Sequence, residues 1–359
     1  MSRRVYLHIG TPKTGTTYLQ GRFLANKDAL ASGGMRYPVG MRTDMFLPAL
    51  DVVQRRWGGM LEAAEGHWDG LARRVQRSDG NALISHEILA GAKAAQVERV
   101  MRDLNGLEIH LVLTARDLGR QIPAEWQEHV KHRGKTSYRR YLKLLHDTKD
   151  TPMDRWFWRV QSLPDVMRRW ARDIEPERVH VVTVPHRSSG PDELWDRFCR
   201  ALDLDPTLAP SLPPRANQSM GAAETTMLRR LNKRLRRRLS NDDYRRLVRA
   251  TLVHERLAQR DAKVPIVVPP RDRDWVEECA DLAVEWVEAS GVHVVGDVDD
   301  LRPRWGDADW QNPDKVRPKL QLAAAMEALE AMTTEAARRE DPDRALGNRV
   351  RDGLSRLRG

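Results

Sequence analysis

One lysine, one glycine and several hydroxyl side chains stand together just after the first apolar segment of the chain. The apolar residues 5–9 predict a short strand, and a helix-forming run begins at about residue 16. The turn and the first helical positions contain Pro12, Lys13, Thr14, Gly15, Thr16 and Thr17. Loop N–H groups, the positive end of a helix dipole and a lysine ammonium all favour an anion. The pattern therefore predicts a site for a phosphate or sulfate group.

The order of residues in this Lys13 loop (residues 9–15) differs from that of the common nucleotide-binding P-loop. That motif places its lysine directly after its second glycine, whereas Lys13 precedes Gly15. A plain strand–turn–helix corner with a surface lysine is the alternative interpretation. We favour the anion site, because a lysine, a glycine and two hydroxyls share one turn at the end of a strand.

Side chains suited to proton transfer follow a second predicted strand, residues 81–85. Ser85, His86 and Glu87 come at its end, which is where open α/β sheets bind ligands. Histidine accepts protons near neutral pH, and a glutamate does so when burial raises its pKa. We therefore expect Glu87 or His86 to act as a base. The alternative is that His86 only forms structural hydrogen bonds and Glu87 caps the next segment.

An arginine follows the third predicted strand, residues 108–115, which is the most apolar of the chain. The planar guanidinium of Arg116 suits bidentate binding of a phosphate. A kinase would instead place a metal-holding carboxylate at the end of such a strand. A surface ion pair between Arg116 and Asp117 is the alternative interpretation.

Composition restricts the kind of protein and its ligands. The 359 residues carry 61 Lys and Arg against 51 Asp and Glu, and the net charge of +10 favours anionic ligands. Two cysteines argue against a disulfide framework and against a cysteine metal site. No apolar run approaches the ~20 residues of a membrane span. Because no cleavable apolar segment precedes the first strand, a cytoplasmic enzyme is expected.

The elements that must position these side chains alternate between strand and helix. The alternation predicts an α/β fold, a three-layer α/β/α domain with a mainly parallel sheet, over residues 1–221. One helix is predicted over residues 16–30. Residues 222–359 are predicted to form a helical extension that packs on or caps the core. Its C-terminal helices carry an apolar stripe through which the chain could form oligomers.

Together these features resemble the sulfotransferases that use 3′-phosphoadenosine 5′-phosphosulfate (PAPS), especially the bacterial type. The sequence Pro-Lys-Thr-Gly-Thr-Thr over residues 12–17 resembles their 5′-phosphosulfate loop, and the ordered likeness extends from residue 3 to about residue 221. The resemblance implies transfer of a sulfonyl group from PAPS to a hydroxyl or amine acceptor, with no metal. In the heparan-type enzymes a glutamate at the equivalent strand end is the presumed base, and in the cytosolic type a histidine. Glu87 is accordingly favoured slightly over His86.

The resemblance also implies residues that bind the 3′-phosphate of the donor. Arg116 matches the arginine that holds this phosphate, but the serine usually found eight positions later is replaced by Ala124. The alternatives for that contact are Arg120, Gln121 and Ser219. By their position and chemistry, Arg215 and Ser219 also match a basic segment that folds over the 3′-phosphate in the cytosolic type.

Three other functions are compatible with parts of the sequence. One is a nucleotide-dependent kinase with a variant P-loop, and another is a nucleotide-binding protein without turnover. The third is a nucleic-acid-binding module built on the basic run 228–239; we favour a solvated helix there, because no aromatic residues interleave it. The acceptor is open between small molecules, sugars, lipids and peptides. Its pocket is expected from segments 35–80 and 134–162. Trp156, Phe157 and Trp158 could form an acceptor wall or stack the adenine, but core packing is favoured for most of these aromatics.

Overall fold

A six-stranded sheet organises the chain in the computed structural model. The structure describes residues 3–39, 45–148, 155–186, 190, 192–213, 219–236, 238–261, 263–306 and 310–338. The strands are β1 Arg4–His8, β2 Met35–Arg36, β3 Asn81–Ser85, β4 Glu108–Ala115, β5 Val179–Thr183 and β6 His293–Val295. Their order across the sheet is β2-β3-β1-β4-β5-β6, and every pair is parallel. The predicted α/β class with a mainly parallel sheet is confirmed.

Strand β1 lies in the middle of the sheet, between β3 and β4. The chain adds strands on one side of β1 as far as β3 and then on the other side from β4 onward. A sheet that reverses its direction of growth in this way leaves a crevice at the carboxyl ends of its central strands. The residues that follow β1, β3 and β4 therefore meet at one edge.

Some helices of the chain cover the two faces of this sheet. The helices are α1 Thr16–Ala25, α2 Lys27–Ser32, α3 Phe46–Val53, α4 Leu61–Ala64, α5 His67–Arg77, α6 Ala94–Asp103, α7 Leu118–Lys131, α8 Tyr138–His146, α9 Trp156–Gln161, α10 Leu163–Trp170, α11 Glu193–Ala201, α12 Ala222–Leu235, α13 Asn241–Asp243, α14 Arg273–Ala289 and α15 Pro318–Ala337. Val5 and Leu7 of β1 belong to one apolar cluster, and Tyr6 between them belongs to a second. This alternation buries both faces, as parallel sheets require.

The single helix predicted over residues 16–30 is wrong in one respect, because it is broken at Asn26. That residue leaves helical geometry at φ −119° and ψ 18°, and α2 begins after it. Its side-chain amide donates to the carbonyl oxygens of Arg22 and Ser211 and accepts from the Ser211 N–H. Asparagine competes in this way with helical hydrogen bonds, and here a distant segment provides the partner.

The described contacts divide the chain into two compact units. The first contains residues 1–128, 136–216 and 267–310, and the second contains residues 129–135, 217–266 and 311–359. The first unit holds the whole sheet, because the segment 267–310 contributes α14 and strand β6. A boundary at residue 221 does not anticipate this return of the chain.

The basic run 228–239 begins in α12 of the second unit. Leu228 and Arg229 are buried there, and the Arg229 guanidinium lies 3.3 Å from the Asp314 carboxylate, while Arg230 and Arg234 face solvent. In α15, Leu322, Met326 and Leu329 are exposed. No helix among the described residues is long and apolar enough to cross a membrane.

Candidate active site

The Lys13 loop continues the hydrogen-bonding direction of the sheet along β4. The N–H of Ile9 donates to Val112 O at 3.1 Å, and the N–H of Thr11 donates to Thr114 O at 2.7 Å. The loop then turns through Gly15, which has φ 88° and precedes the first residue of α1. Glycine adopts this left-handed geometry without the steric cost that a side chain adds. The loop is thereby fixed at the centre of the sheet edge.

Gly10 brings the loop against the end of β3. A Cβ atom at this position would lie 2.9 Å from Glu87 Cα and 3.0 Å from Glu87 O, and Gly10 has φ 108°. Only glycine permits so close an approach of two backbones with this dihedral angle. The predicted anion loop and the predicted base are therefore direct neighbours.

Arg116 contacts the loop on the side of β4, opposite Glu87. One guanidinium nitrogen, Nη1, donates to Lys13 O at 3.0 Å, and Nη2 donates to Arg120 O at 2.7 Å. Residues that follow β3, β1 and β4 thus come together in three dimensions as their strand ends suggested. Whether Arg116 also binds a phosphate stays a prediction.

Lys13 forms an ion pair that its sequence position did not indicate. Its Nζ donates to Glu128 Oε2 on α7 at 2.7 Å, and both side chains are about one quarter to one third exposed, 32% for Lys13 and 24% for Glu128. Burial lowers the pKa of Lys13, but the carboxylates of Glu128 and Glu125 outweigh burial and raise it above its ordinary value. The ammonium is therefore charged and lies against α7.

Glu125, one turn before Glu128 on α7, is the most perturbed carboxyl of the site. It is 8% exposed, and its Oε1 has no hydrogen-bond partner among the described residues. Burial raises its pKa from 4.5 to about 7, with Lys13 opposing and the charges of Glu128 and Glu87 adding to the rise. A buried carboxyl that titrates near neutrality can both hold and accept a proton.

Glu87 is ionised in this arrangement. Burial raises its pKa, but His86, the Gln20 side chain and Lys13 together bring it below the ordinary value. Gln20 on α1 donates from Nε2 to Glu87 Oε2 at 3.3 Å and also to Ser85 O at 3.3 Å. The carboxylate is consequently held in place and faces the positive charge of Lys13.

His86 caps the short 3₁₀ helix Glu87–Gly91. Its Nδ1 accepts from the Ile88 N–H at 3.2 Å, and its ring lies 5.6 Å from the Phe46 ring. Nδ1 lies 3.8 Å from Glu87 Oε2. Because Nδ1 accepts this hydrogen bond, the neutral ring carries its proton on Nε2, and His86 could accept a further proton only by giving up the bond from Ile88.

Ser85 belongs to a buried polar network beneath the loop. His8 on β1 contacts Ser85 Oγ through Nδ1 at 2.7 Å and Thr114 Oγ1 through Nε2 at 3.1 Å. Thr114 in turn contacts Thr14 Oγ1 at 2.6 Å. Burial lowers the pKa of His8 to about 3, so the ring is neutral. The network ties β3, β1, β4 and the loop together through the hydroxyls of Ser85 and Thr14.

Two glutamines fix the residue before Lys13. Gln121 Nε2 donates to Pro12 O at 2.6 Å, and Gln161 Nε2 donates to the same oxygen at 3.0 Å. Gln121 Nε2 also donates to Gln161 Oε1 at 2.9 Å, and all these polar atoms are buried. Gln121, a sequence candidate for the 3′-phosphate, is therefore occupied in orienting the loop.

The remaining sequence candidates occupy varied positions. Thr16 is buried and Thr17 is exposed in the first turn of α1. The Arg120 guanidinium pairs with Asp117 and donates to Pro185 O at 3.1 Å and Val184 O at 3.2 Å. These bonds tie the ends of β4 and β5. Ala124 is half-buried on α7.

The two candidates near residue 220 are Arg215 and Ser219. Arg215 lies outside the described residues, and Ser219 is exposed in the second unit. Their roles stay predictions.

Sequence reasoning missed the acidic face of α7. Gln121, Glu125 and Glu128 follow i, i+4, i+7 spacing, which places them on one face, and Gln121 and Glu125 are buried there like the apolar Ile122 and Trp126 of the same helix. This spacing was visible in the sequence, but only the fold shows that the face is directed at Lys13. Among the described residues, no group of three or more His, Cys, Asp or Glu side chains is placed to hold a metal ion.

The fold and the strand-end residues define an α/β chain with a positively charged turn at the carboxyl edge of a parallel sheet. Neither a protein-family model nor a curated protein matches the chain. Among solved structures, a sulfotransferase from Alicyclobacillus acidocaldarius matches with a TM-score of 0.40 and 13% identity, over 65% of this chain and 93% of that one. A likeness at this level bears on neither the family nor the activity. The function is therefore argued from the site itself.

Proposed function

We propose that the chain transfers a sulfonyl group from PAPS to a hydroxyl or amine of an acceptor. The observation that carries the proposal is the meeting of Lys13, Glu87 and Arg116 at the ends of three adjacent strands. Glycine backbone, a lysine and an arginine suit a donor with two separate anionic groups. The resemblance of the Lys13 loop to a 5′-phosphosulfate loop supports the choice of donor.

The transfer is a single displacement at sulfur, and each site residue has one role in it. The acceptor oxygen or nitrogen forms a bond to sulfur as the bond from sulfur to the bridging phosphate oxygen breaks, which leaves 3′-phosphoadenosine 5′-phosphate (PAP). Lys13 stabilises the negative charge that grows on the bridging oxygen. Thr16 and Thr17 would donate to the 5′-phosphate, and Arg116 would hold the 3′-phosphate and so orient the donor. A carboxylate accepts the acceptor's proton.

Three residues are candidates to accept that proton, namely Glu87, Glu125 and His86. Glu87 has the predicted strand-end position and is held by Gln20. Glu125 has the better matched pKa, about 7, and an oxygen without a protein partner among the described residues. General bases work best when their pKa lies near the working pH. We therefore add Glu125 to Glu87 and His86 as a candidate base.

The ion pair of Lys13 predicts that the donor must displace an internal partner. The Lys13 ammonium is paired with Glu128 at 2.7 Å, so an incoming phosphosulfate competes with that carboxylate. Such an exchange keeps the lysine charge neutralised before and after binding. It also predicts that donor affinity depends on Glu128 as well as on Lys13.

Binding of PAP, the donor product, tests the proposal. PAP at 100 times its Kd should raise the free energy of unfolding by about 2.7 kcal/mol, measured as a shift of the thermal midpoint. ATP with Mg²⁺ is the matched control, because a variant kinase would prefer it. A shift with ATP and none with PAP in large excess would overturn the donor assignment and favour the kinase alternative.

A further inference from the structure

One half-buried arginine, Arg55, contacts aromatic rings through its guanidinium. Arg55 follows α3, and its guanidinium carbon lies 3.6 Å from the centre of the Trp156 ring and 5.3 Å from that of Trp57. Within the described residues it forms neither a hydrogen bond nor an ion pair. Nearly every other half-buried arginine named above donates to a carbonyl or carboxylate, so Arg55 is exceptional.

Stacking on an aromatic face leaves the hydrogen-bond donors of a guanidinium available. The donors lie in the guanidinium plane, whereas the indole covers only its face. Burial and the charge of Arg159 lower the pKa of Arg55 to about 10, so the side chain remains charged at neutral pH. A fixed, charged fork with its in-plane donors uncommitted is the arrangement that binds a carboxylate or phosphate in bidentate fashion.

Two relations connect Arg55 with the transfer site. Glu125 affects the pKa of both Lys13 and Arg55, so it lies within electrostatic range of each. A series of ring contacts also connects Arg55 with His86. The Trp57 ring centre lies 6.2 Å from that of Phe46, and the Phe46 ring centre lies 5.6 Å from that of His86. Trp57 and Trp156 themselves are 6.1 Å apart, edge to face.

These residues come from the two segments in which the acceptor pocket was expected. Arg55 and Trp57 belong to segment 35–80, and Trp156 belongs to segment 134–162. Aromatic rings provide a wall for a flat or apolar body, and Arg55 provides one positive charge at that wall. A neutral acceptor would leave the Arg55 guanidinium without a hydrogen-bonded counter-ion among the described residues.

We propose that the acceptor carries a carboxylate or a phosphate which binds Arg55, next to an aromatic or apolar body that packs on Trp57 and Trp156. The hydroxyl or amine to be sulfonylated then faces Glu125, Glu87 and Lys13. This inference rests on the proposed function for its chemistry, but the anion site at Arg55 can be tested without any donor.

The test compares three small probes of matched shape by calorimetric titration of the full chain. 4-Hydroxyphenylacetate carries a carboxylate, 4-hydroxyphenyl phosphate carries a phosphate, and 4-hydroxyphenylacetamide is uncharged. At least one anionic probe should bind about tenfold to a hundredfold more tightly than the amide, the range expected for a charged bidentate contact. The stronger of the two anions identifies the acidic group that the site prefers.

Variants separate Arg55 from the general positive charge of the chain. Arg55→Gln should abolish the preference for the anionic probe, whereas Arg56→Gln, at the exposed neighbouring position, should keep it. Arg55→Lys retains the charge without the fork and should keep only part of the preference. Equal binding of all three probes, or a preference that survives Arg55→Gln in a folded variant, would overturn the proposal.

Failure of this site is distinguishable from failure of the donor assignment. PAP binding is measured on the same proteins and should be unchanged in Arg55→Gln, while Lys13→Ala should weaken PAP binding and retain the anionic preference. If PAP fails to bind but the preference holds, the donor is wrong and the anion site stands. If PAP binds and no anion is preferred, the acceptor inference alone is wrong.

Discussion

The side chain and the backbone of Lys13 contact different partners. Its ammonium is paired with Glu128, and its backbone carbonyl accepts from Arg116. The side chain therefore faces α7, while the backbone stays fixed on the sheet. A donor phosphosulfate would draw the ammonium away from Glu128 without moving the loop.

Substitution at Lys13 and at Glu128 should have opposite effects on the donor. Lys13→Ala should lower the rate of sulfonyl transfer at least about a hundredfold, because it removes the charge that stabilises the leaving oxygen. Glu128→Gln should tighten PAP binding several-fold, since it removes a competing carboxylate. Titration of PAP and single-turnover transfer measure the two effects. Unchanged transfer in Lys13→Ala would remove the lysine from the chemistry.

Glu125 should produce a pH dependence that Glu87 cannot. A base with a pKa of about 7 is active only above that pH, so the rate should rise with pH through about 7. Glu125→Gln should remove this rise. Glu87, whose pKa is below the ordinary value, would give a rise only under acidic conditions. A rise near pH 7 that persists in Glu125→Gln would exclude Glu125, and Glu87→Gln beside His86→Asn would then identify the base.

The same residue predicts a gain in stability on substitution. A carboxyl whose pKa is raised from 4.5 to about 7 favours the folded state when protonated, so ionisation costs stability as pH rises through this range. Glu125→Gln should therefore be more stable than the wild type at pH 8, by up to about 3 kcal/mol. The difference should vanish below about pH 4.5. Urea unfolding at the two pH values measures it, with the exposed Glu62→Gln as control.

At the scale of elements, the contact between the Lys13 loop and the end of β3 depends on the absence of a side chain. Gly10→Ala places a methyl group 2.9 Å from Glu87 Cα at φ 108° and should cost about 2–4 kcal/mol of stability and most of the PAP affinity. Gly34→Ala is the matched control, because Gly34 has φ 84° but no atom within 4 Å of its Cβ position. Equal losses in both variants would show that only the backbone dihedral matters.

A chain of histidines joins three strands of the sheet. Glu108 Oε1 lies 2.9 Å from His110 Nε2, His110 Nδ1 lies 3.0 Å from His180 Nε2, and His180 Nδ1 lies 3.0 Å from His293 Nδ1. Each contact needs one donor and one acceptor, so the rings can be satisfied together when they are neutral. Burial and the neighbouring rings lower the pKa of His180 to about 4.

This histidine chain should make the sheet sensitive to acid. A histidine with a lowered pKa stabilises the fold above its unfolded pKa of about 6.5, and this contribution is lost as pH falls from there toward 4. The urea midpoint should therefore fall between pH 7.5 and pH 5. The glutamine of His180→Gln cannot titrate, so the free energy of unfolding of this variant should fall less steeply with falling pH. The two slopes should differ by less than about 1 kcal/mol per pH unit. His67→Gln on α5 serves as control, and parallel pH curves for all three proteins would contradict the role of His180.

For the whole molecule, the net charge of +10 should act on any anionic ligand. Raising NaCl from about 0.05 M to about 0.5 M should weaken PAP binding by about tenfold, because the screening length shortens. Arbitrary double-stranded DNA at about 0.15 M salt should show no binding tighter than the non-specific range of about 10⁻⁴–10⁻⁶ M. Tighter binding of DNA would support the nucleic-acid alternative for the run 228–239.

The sequence by itself indicated the parts of the site that are local to a strand end. An apolar run followed by polar residues marks where a buried strand leaves the core, and this pattern located Lys13, Glu87 and Arg116. It also predicted the class of fold, because strands that alternate with helices must pair in parallel. Parallel pairing then brings the carboxyl ends of neighbouring strands to one edge.

Only the tertiary structure decided which further side chains face these residues. The Glu128 ion pair with Lys13, the buried Glu125 and the stacking of Arg55 on Trp156 each join segments that are distant in the chain. Charge and burial at such points depend on the crossing of helices over the sheet, and a single sequence does not record the crossing. The pKa values that determine the chemistry of the site are set by burial and neighbouring charges, which are properties of the folded chain.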